Sequence, residues 1–146
     1  PPSLYTMGLE AALSGLVEQT ELQYELNAVF EDDQQSKSLN MDVRIHIFRS
    51  VRELLVNVIK HADAKNVKVS VSKEAEQIKI VVADDGIGFD INKKKISTDG
   101  TYGFGLFSIR ERLSLLGGQL LISSAPKNGT EITLKAPLNQ NVESTF

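Results

Sequence analysis

The stretch that decides the fold is Glu53-Leu-Leu-Val-Asn57-Val-Ile-Lys60-His61-Ala62. Helical repeats separate its polar residues, which are therefore predicted to share one face of a helix, and the apolar residues between them to occupy the opposite side. A magnesium–triphosphate site uses such a stripe, because Asn57 offers a carbonyl oxygen for Mg²⁺ and Lys60 a positive charge for phosphate. By itself, the same stripe is also the solvated face of an ordinary amphipathic helix.

A second motif, Asp84-Asp85-Gly86-Ile87-Gly88-Phe89, directly follows a predicted strand. Glycines here let the backbone adopt positive φ and approach a ligand closely. A carboxylate at a strand end can accept a hydrogen bond from an amino group such as the exocyclic amine of adenine. Asp-Gly is also a common turn pair, so the motif alone leaves a plain turn equally open.

Two shorter motifs follow, Gly103-Phe-Gly105-Leu106 and Asn128-Gly129-Thr130. Glycines before a helix expose free N–H groups to an anion, although the glycine patterns of Rossmann and P-loop nucleotide sites are absent. The second of these motifs leads into the last predicted strand and alone reads as a hairpin turn.

Hydrophobic periodicity around these motifs predicts the secondary structure. Helices are expected over Leu9 to Thr20, from Asn40 or Asp42 through Ala62, and over Gly105 to Leu116. Strands are expected over Gln23 to Phe30, Val67 to Val71, Ile78 to Val82, Gln119 to Ser124 and Thr130 to Ala136. Because helices and strands do not alternate strictly, we expect an α+β fold: a two-layer sandwich with helices packed on one face of a mixed, largely antiparallel sheet.

The bulk composition fits one compact domain of 146 residues, predicted to cover 1–138, with 139–146 as a polar tail. A net charge of −3 argues against nucleic-acid binding. No stretch is long and apolar enough for a bilayer span. The chain has no cysteine, which excludes disulfides and thiolate metal sites and fits a cytoplasmic protein. The first and last residues favour a larger parent protein.

Taken together and in this order, the four motifs resemble the N box, the two glycine boxes and the terminal Gly-Thr of the Bergerat, or GHKL, ATP-binding fold. The likeness covers nearly all of the chain from Arg44 to Pro137. Within that superfamily the chain resembles the NarL-type sensor histidine kinases. The features that carry this likeness are Ile47-Phe-Arg-Ser-Val-Arg-Glu53, Arg110-Glu-Arg112 with Leu116-Gly-Gly118, and the opening Pro1-Pro-Ser-Leu…Gly8-Leu.

The resemblance implies a role for each site residue. Asp84 would hold the adenine amino group, and Thr130 would assist through the ring or a bridging water. Gly86 and Gly88 would leave room for the base. Asn57 would be the Mg²⁺ ligand, while Lys60 and His61 would lie near the phosphates. Gly103, Gly105 and Leu106 would cover the phosphates, with 89–102 as a mobile lid in which Lys93, Lys94 and Lys95 could contact phosphate.

The implied reaction transfers the γ-phosphoryl group of ATP to a histidine. Only His46 and His61 occur in this chain. His61 belongs to the N box, and His46 reads as a helix-surface or partly buried residue. The acceptor is therefore expected in a dimerisation domain of the same parent protein, outside this chain, with a response regulator further along. The parent is expected to be membrane-anchored, with this domain in the cytoplasm and without membrane contact of its own.

Three alternatives remain open on the sequence. They are a gyrase- or MutL-like ATPase, an anti-sigma serine kinase of the same fold, and a nucleotide-binding module without catalysis. Glu53 bears on the first, because the matching acid activates water in the gyrase-like branch, whereas in kinases it would support the metal or its waters.

Overall fold

The computed structural model describes Leu4, residues 7–91 and residues 105–139. Within these ranges the helices are α1 (Leu9–Gln23), α2 (Met41–Asn57), which continues into a π-helical turn (Val58–Ala62), and α3 (Leu106–Leu115). The strands are β1 (Asn27–Asp32), β2 (Asn66–Glu74), β3 (Gln77–Asp84), β4 (Gln119–Ser124) and β5 (Thr130–Pro137).

The strands form one five-stranded sheet in the order β1-β2-β3-β5-β4. Strands β1 and β2 are parallel, and the three other pairings are antiparallel. The register pairs Asp84, at the end of β3, with Thr130, at the start of β5. The second and fourth motifs therefore meet at one end of the sheet.

The core lies between the helices and one face of the sheet. In β2, Val67, Val69 and Val71 are buried, while the residues between them are more exposed. This alternation is the period of two that a strand with one covered face requires. The helices add buried side chains such as Leu13, Val51, Leu55, Ile109 and Leu113. The expected α+β sandwich, with helices on one face of a mixed and mostly antiparallel sheet, is confirmed.

The predicted strand from Gln23 to Phe30 is placed too early. Helix α1 continues through Gln23, and β1 begins at Asn27. The reason is a contact between the two elements: the carboxylate of Glu21, in the last turn of α1, accepts a hydrogen bond of 2.9 Å from the Ala28 N–H at the edge of the sheet. Local alternation cannot reveal such a tertiary contact.

The long helix also differs from the regular α-helix expected through Ala62. Its last turn, Val58–Ala62, is π-helical and ends at Asp63, which has a left-handed backbone with φ of 49°. Asn40 occupies the N-cap position as predicted, but its side chain does not cap the helix. Instead, Asn40 Oδ1 accepts a hydrogen bond of 2.7 Å from Asn139 Nδ2. Asn139 is the first residue of the predicted tail, and 140–146 lie outside the described residues.

At the far end of the sheet, the loop after β1 is held by a carboxylate. Asp33 accepts hydrogen bonds from the backbone N–H groups of Gln35 (3.0 Å) and Lys73 (2.7 Å) and from the Lys37 ammonium. Burial opposes its ionisation, but Lys37 and these backbone donors lower the pKa of Asp33 to about 2. The same ammonium also contacts Asp32. We call Asp32, Asp33, Lys37 and the Lys73 N–H the far-end clip.

The described part of the chain contains no helix with the length and apolar character needed to cross a membrane.

Candidate functional site

A cavity opens where helix α2, the end of β3, the start of β5 and the start of α3 meet. Its wall is mostly apolar, with a few polar groups. The lining residues are Leu54, Asn57, Val58, His61, Ala62, Val82, Asp84, Ile87, Gly88, Phe89, Leu106, Thr130 and Ile132. A concave, largely apolar site with a few polar groups is typical of small-molecule pockets.

Asp84 is the acidic residue in this wall. Its Oδ1 accepts a hydrogen bond of 2.8 Å from the Gly86 N–H. Burial raises the pKa of Asp84, and the neighbouring charge of Asp85 raises it further, while the backbone N–H groups of Gly86 and Thr130 act in the opposite direction. A half-buried carboxylate facing an apolar cavity is a strong acceptor for a ligand donor, because water competes poorly there.

Asp85, the next residue, has a different task. Its carboxylate accepts hydrogen bonds from the backbone N–H groups of Lys65 and Asn66, both at 2.9 Å, and from Asn66 Nδ2 at 2.7 Å. The Asn66 side chain, followed by these backbone groups, lowers the pKa of Asp85. Asp85 therefore fastens the end of β3 to the start of β2 and faces away from the cavity.

The glycines of the second motif are required first by protein packing. A Cβ on Gly86 would lie 2.1 Å from the Ala62 carbonyl oxygen, and one on Gly88, where φ is +63°, would lie 2.1 Å from the Ala125 carbonyl oxygen. Between them, the Ile87 N–H donates to Ala62 O at 2.7 Å, and Ile87 O accepts from the Lys127 N–H at 2.6 Å. The loop is thus pressed between the π-helical turn and the β4–β5 turn. Room for an adenine base stays a prediction.

Ser124 is a site residue that sequence reasoning missed. Its hydroxyl oxygen accepts from the Phe89 N–H at 2.9 Å, donates to Gly129 O at 3.0 Å and lies 2.8 Å from Thr130 Oγ1. Ser124 therefore connects the glycine loop to the hydroxyl that lines the cavity. The sequence feature that could have identified Ser124 is a serine at a strand end before a turn, because such side chains form hydrogen bonds with the nearby backbone.

The first motif contributes only some of its predicted residues to the cavity. Asn57 and His61 line it, together with Leu54 and Val58, which were expected on the opposite face. Lys60 is exposed and does not line it. Leu54, Val58 and His61 are three or four residues apart, so one helical face carries all three to the cavity.

The third motif is described only in part. Leu106 lines the cavity, and Gly105 precedes α3 with φ of 77°. Gly103, Lys93, Lys94, Lys95 and most of the predicted lid lie outside the described residues.

Glu53 also stands apart from the cavity wall. Its carboxylate forms an ion pair and hydrogen bond with the guanidinium of Arg112 on α3. Sequence spacing could not reveal this pair, because 59 positions separate its members. Arg112 enters the sequence argument only as part of Arg110-Glu-Arg112.

Comparison with known proteins assigns the region that carries these motifs. Residues 42–140, more than half of the chain, match the family described as histidine kinase-, DNA gyrase B-, and HSP90-like ATPase. The signal transduction histidine-protein kinase/phosphatase DegS of Brevibacillus brevis is 40% identical over 96 residues, which are 66% of this chain and 24% of that protein. The sensor histidine kinase ComP of Bacillus subtilis (strain 168) is 30% identical over 138 residues, 94% of this chain and 18% of that protein. The chain thus spans about a quarter or less of these relatives.

Solved structures share the fold. The blue-light activated histidine kinase of Erythrobacter litoralis EL346 superposes with a TM-score of 0.73 at 20% identity, covering 94% of this chain and 43% of that one. The nucleotide-free catalytic domain of the histidine kinase ThkA gives a TM-score of 0.69 at 21% identity, covering 88% of this chain and 89% of that one.

Proposed function

Because this chain belongs to the histidine kinase-, DNA gyrase B-, and HSP90-like ATPase family, we propose that it is the ATP-binding catalytic domain of a NarL-type sensor histidine kinase. The proposed reaction transfers the γ-phosphoryl group of ATP to a histidine in a dimerisation domain outside this chain. The names of DegS and ComP support the kinase assignment over the ATPase branches.

The observation that carries the proposal is the cavity itself. Asn57 and His61 from the first motif, Asp84 and Gly88 from the second, and Thr130 from the fourth line one apolar cavity. These motifs are far apart in the sequence. If the first were only a solvated helix and the others only turns, there would be no reason for their residues to line one cavity.

The adenine is proposed to lie at the Asp84 end. Burial raises the pKa of Asp84, and its carboxylate oxygens are proposed as acceptors for the exocyclic amine. Thr130 lies beside it in the sheet register. The apolar side chains of Val82, Ile132 and Leu54 supply the surface against which a flat base packs.

The phosphates are proposed to lie toward the start of α3, near Gly103, Gly105 and Leu106. The N-terminus of a helix attracts anions through its unpaired N–H groups. His61 lines the cavity, and Lys60, which precedes it in the same turn, is exposed. Lys60 is therefore suited to contact the outer part of a phosphate chain.

Mg²⁺ fits the donors present. Asn57 lines the cavity and carries an amide oxygen, and Glu53 stands one helical turn earlier. Mg²⁺ prefers hard oxygen ligands and usually binds only one or two protein oxygens, with phosphate oxygens and water as the other ligands. When bound, the ion would neutralise phosphate charge during transfer. We propose Asn57 as its protein ligand.

The phosphoacceptor is proposed to belong to another domain of the same parent. His61 lines the cavity, and His46 is half-buried on α2. A response regulator would receive the phosphoryl group from that domain. We propose a cytoplasmic location, supported by the absence of cysteine and by the family. Membrane anchoring would belong to the parent protein.

The test supplies a histidine-bearing dimerisation domain together with ATP labelled on the γ-phosphate. We expect Mg²⁺-dependent label on that domain, none when its histidine is replaced by glutamine, and a loss of at least about 100-fold with Asn57→Ala, because positioning and metal charge supply most of the catalysis.

Two other outcomes would contradict the assignment. Steady phosphate release without the acceptor domain, abolished by Glu53→Gln, would identify a gyrase-like ATPase. Firm ATP binding without any transfer would identify a non-catalytic nucleotide-binding module.

A further inference from the structure

Arg112 and Glu53 connect two helices that the proposed function uses separately. Glu53 belongs to α2, which carries Asn57, and Arg112 belongs to α3, which follows the predicted lid. Their charged groups form the ion pair, with side-chain exposures of 43% for Glu53 and 30% for Arg112. Pairs this accessible add little to stability because water and salt screen them. The pair is therefore better explained by what it positions than by its contribution to folding.

The Glu53 carboxylate lies outside the cavity wall, beside the start of α3, where the phosphates are proposed. Glu53 and Asn57 are four residues apart on a helix, so their side chains are neighbours on one face. On the other side, Glu53 Oε1 is 3.3 Å from where a Cβ on Gly105 would lie. Gly105 directly precedes Leu106, which lines the cavity. The carboxylate thus stands between the Asn57 position and the first turn of α3.

The contact holds only one side of the carboxylate. Arg112 Nη2 donates to Glu53 Oε2, while Oε1 faces Gly105. Arg112 Nε is buried and has no hydrogen-bond partner among the described residues. An arginine that served only as a clamp would gain from the two-pronged contact that guanidinium and carboxylate geometry permits. The one-pronged arrangement leaves Oε1 outside the contact with Arg112, on the side of Gly105.

We propose that Arg112 is a positioning residue that orients the Glu53 carboxylate toward the water shell of the nucleotide-bound Mg²⁺. This inference rests on the proposed function, because it needs Mg²⁺ on Asn57. Glu53 has three rotatable side-chain bonds, and without the guanidinium its carboxylate samples many directions in water. Groups that orient ligands of a metal in this way commonly change metal affinity by about 10-fold to 100-fold when they are removed.

The experiment is calorimetric titration of ATP into the 146-residue chain, once with Mg²⁺ and once with EDTA. The variants are Arg112→Met, Arg112→Lys, Glu53→Gln and the double variant Arg112→Met/Glu53→Gln. Arg110→Met is the matched control, because Arg110 is an exposed arginine on the same helix.

We expect Arg112→Met to weaken ATP binding about 10-fold in Mg²⁺, with a much smaller change in EDTA. Arg112→Lys should restore part of the loss, because a lysine keeps the charge but not the planar fork. The double variant should bind no more weakly than Glu53→Gln, since both changes remove the same contribution. Arg110→Met should match the wild type.

Equal weakening of Arg112→Met with Mg²⁺ and with EDTA would overturn the inference, because it would reveal a structural link alone. Equal behaviour of Arg112→Met and Arg110→Met would overturn it as well. A wild type that binds no ATP in either condition would instead reject the proposed function, so the two failures are distinguishable.

Discussion

The chain contains two Asp-Asp pairs, each where a strand ends, and they lie at opposite ends of the sheet. Asp32 is the last residue of β1 and Asp33 follows it, and in the same way Asp84 ends β3 and Asp85 follows it. Because β1 runs parallel to β2 and β3 runs antiparallel to it, β1 and β3 end at opposite ends of the sheet. The first pair holds a loop in place. In the second pair, Asp85 holds the strands together, while Asp84 faces the cavity.

Internal donors distinguish these carboxylates. Asp33 and Asp85 each accept hydrogen bonds from several groups of the chain itself, and the pKa of each is lowered. Asp84 is more buried, and its pKa is raised. A carboxylate that is buried but weakly supplied with internal donors is the one suited to a ligand's donor. The sequence Asp-Asp is identical in both places, so the strand ends around it decide the role.

The largest effect that separates the two ends of the sheet is expected at Gly86. The end with the cavity depends on close backbone packing, whereas the far-end clip depends on charge. Gly86→Ala would press a methyl group against Ala62 O, and we expect a loss of about 2–3 kcal/mol in the free energy of unfolding. Binding of ATP should weaken in parallel, because the loop carries Asp84 and Gly88. Urea denaturation and ATP titration measure the two effects.

The control for this change is Gly15→Ala. Gly15 lies in the middle of α1, and a Cβ there would meet nothing within 4 Å. This variant should gain about 0.5–1 kcal/mol, as alanine does over glycine in a helix. If Gly86→Ala were as stable as the wild type, the close approach of loop and π-helical turn would be wrong.

A smaller effect is expected at Asp33, and it depends on pH. The pKa of Asp33 is about 2 in the folded chain against an ordinary 3.8. Because the folded-state value is lower, its contribution to stability is complete above about pH 4 and disappears as the pH falls toward 2. Asp33→Asn should therefore cost about 1 kcal/mol or less at pH 6, because water and salt screen an ion pair near the surface. The cost should shrink between pH 4 and pH 2.

Thermal unfolding of both proteins at several pH values measures this difference. Glu18→Gln, which changes an exposed carboxylate on α1, is the control. A cost for Asp33→Asn that stays constant from pH 6 to pH 2 would show that the far-end clip does not depend on this charge.

Most of the fold could be predicted from the sequence because its elements have strong local patterns. The valines of β2 alternate with polar residues, and the turn through Asn128 and Gly129 has the composition of a turn. The boundary between α1 and β1 could not be predicted from the sequence, because it depends on the hydrogen bond between the Ala28 N–H and the Glu21 carboxylate. The π-helical turn at Val58–Ala62 also had no local signal.

The structure brings some of the predicted site residues together at the cavity and leaves others outside it. Asn57, His61, Asp84, Gly88, Leu106 and Thr130 line one cavity, and their binding roles stay predictions. Lys60 is exposed and does not line it. Ser124 and Arg112 act through contacts with residues remote in sequence, which spacing cannot show. The role of Glu53 stays open between base and metal support.

The central claim is that Asp84, and not Asp85, receives the base of ATP. The most direct measurement is calorimetric titration of ATP with Mg²⁺ into the wild type, Asp84→Asn and Asp85→Asn, together with the melting temperature of each. Asp84→Asn should lose at least about 10-fold in affinity, because a charged acceptor is removed. Asp84→Asn should also have a higher melting temperature at neutral pH. Because the pKa of Asp84 is raised in the folded chain, its ionised carboxylate lowers the stability of the fold at pH values above the unfolded-state pKa.

Asp85→Asn should show the reverse, with a lower melting temperature and an affinity close to that of the wild type. Binding that survives in Asp84→Asn, or that is lost equally in both variants, would contradict the account.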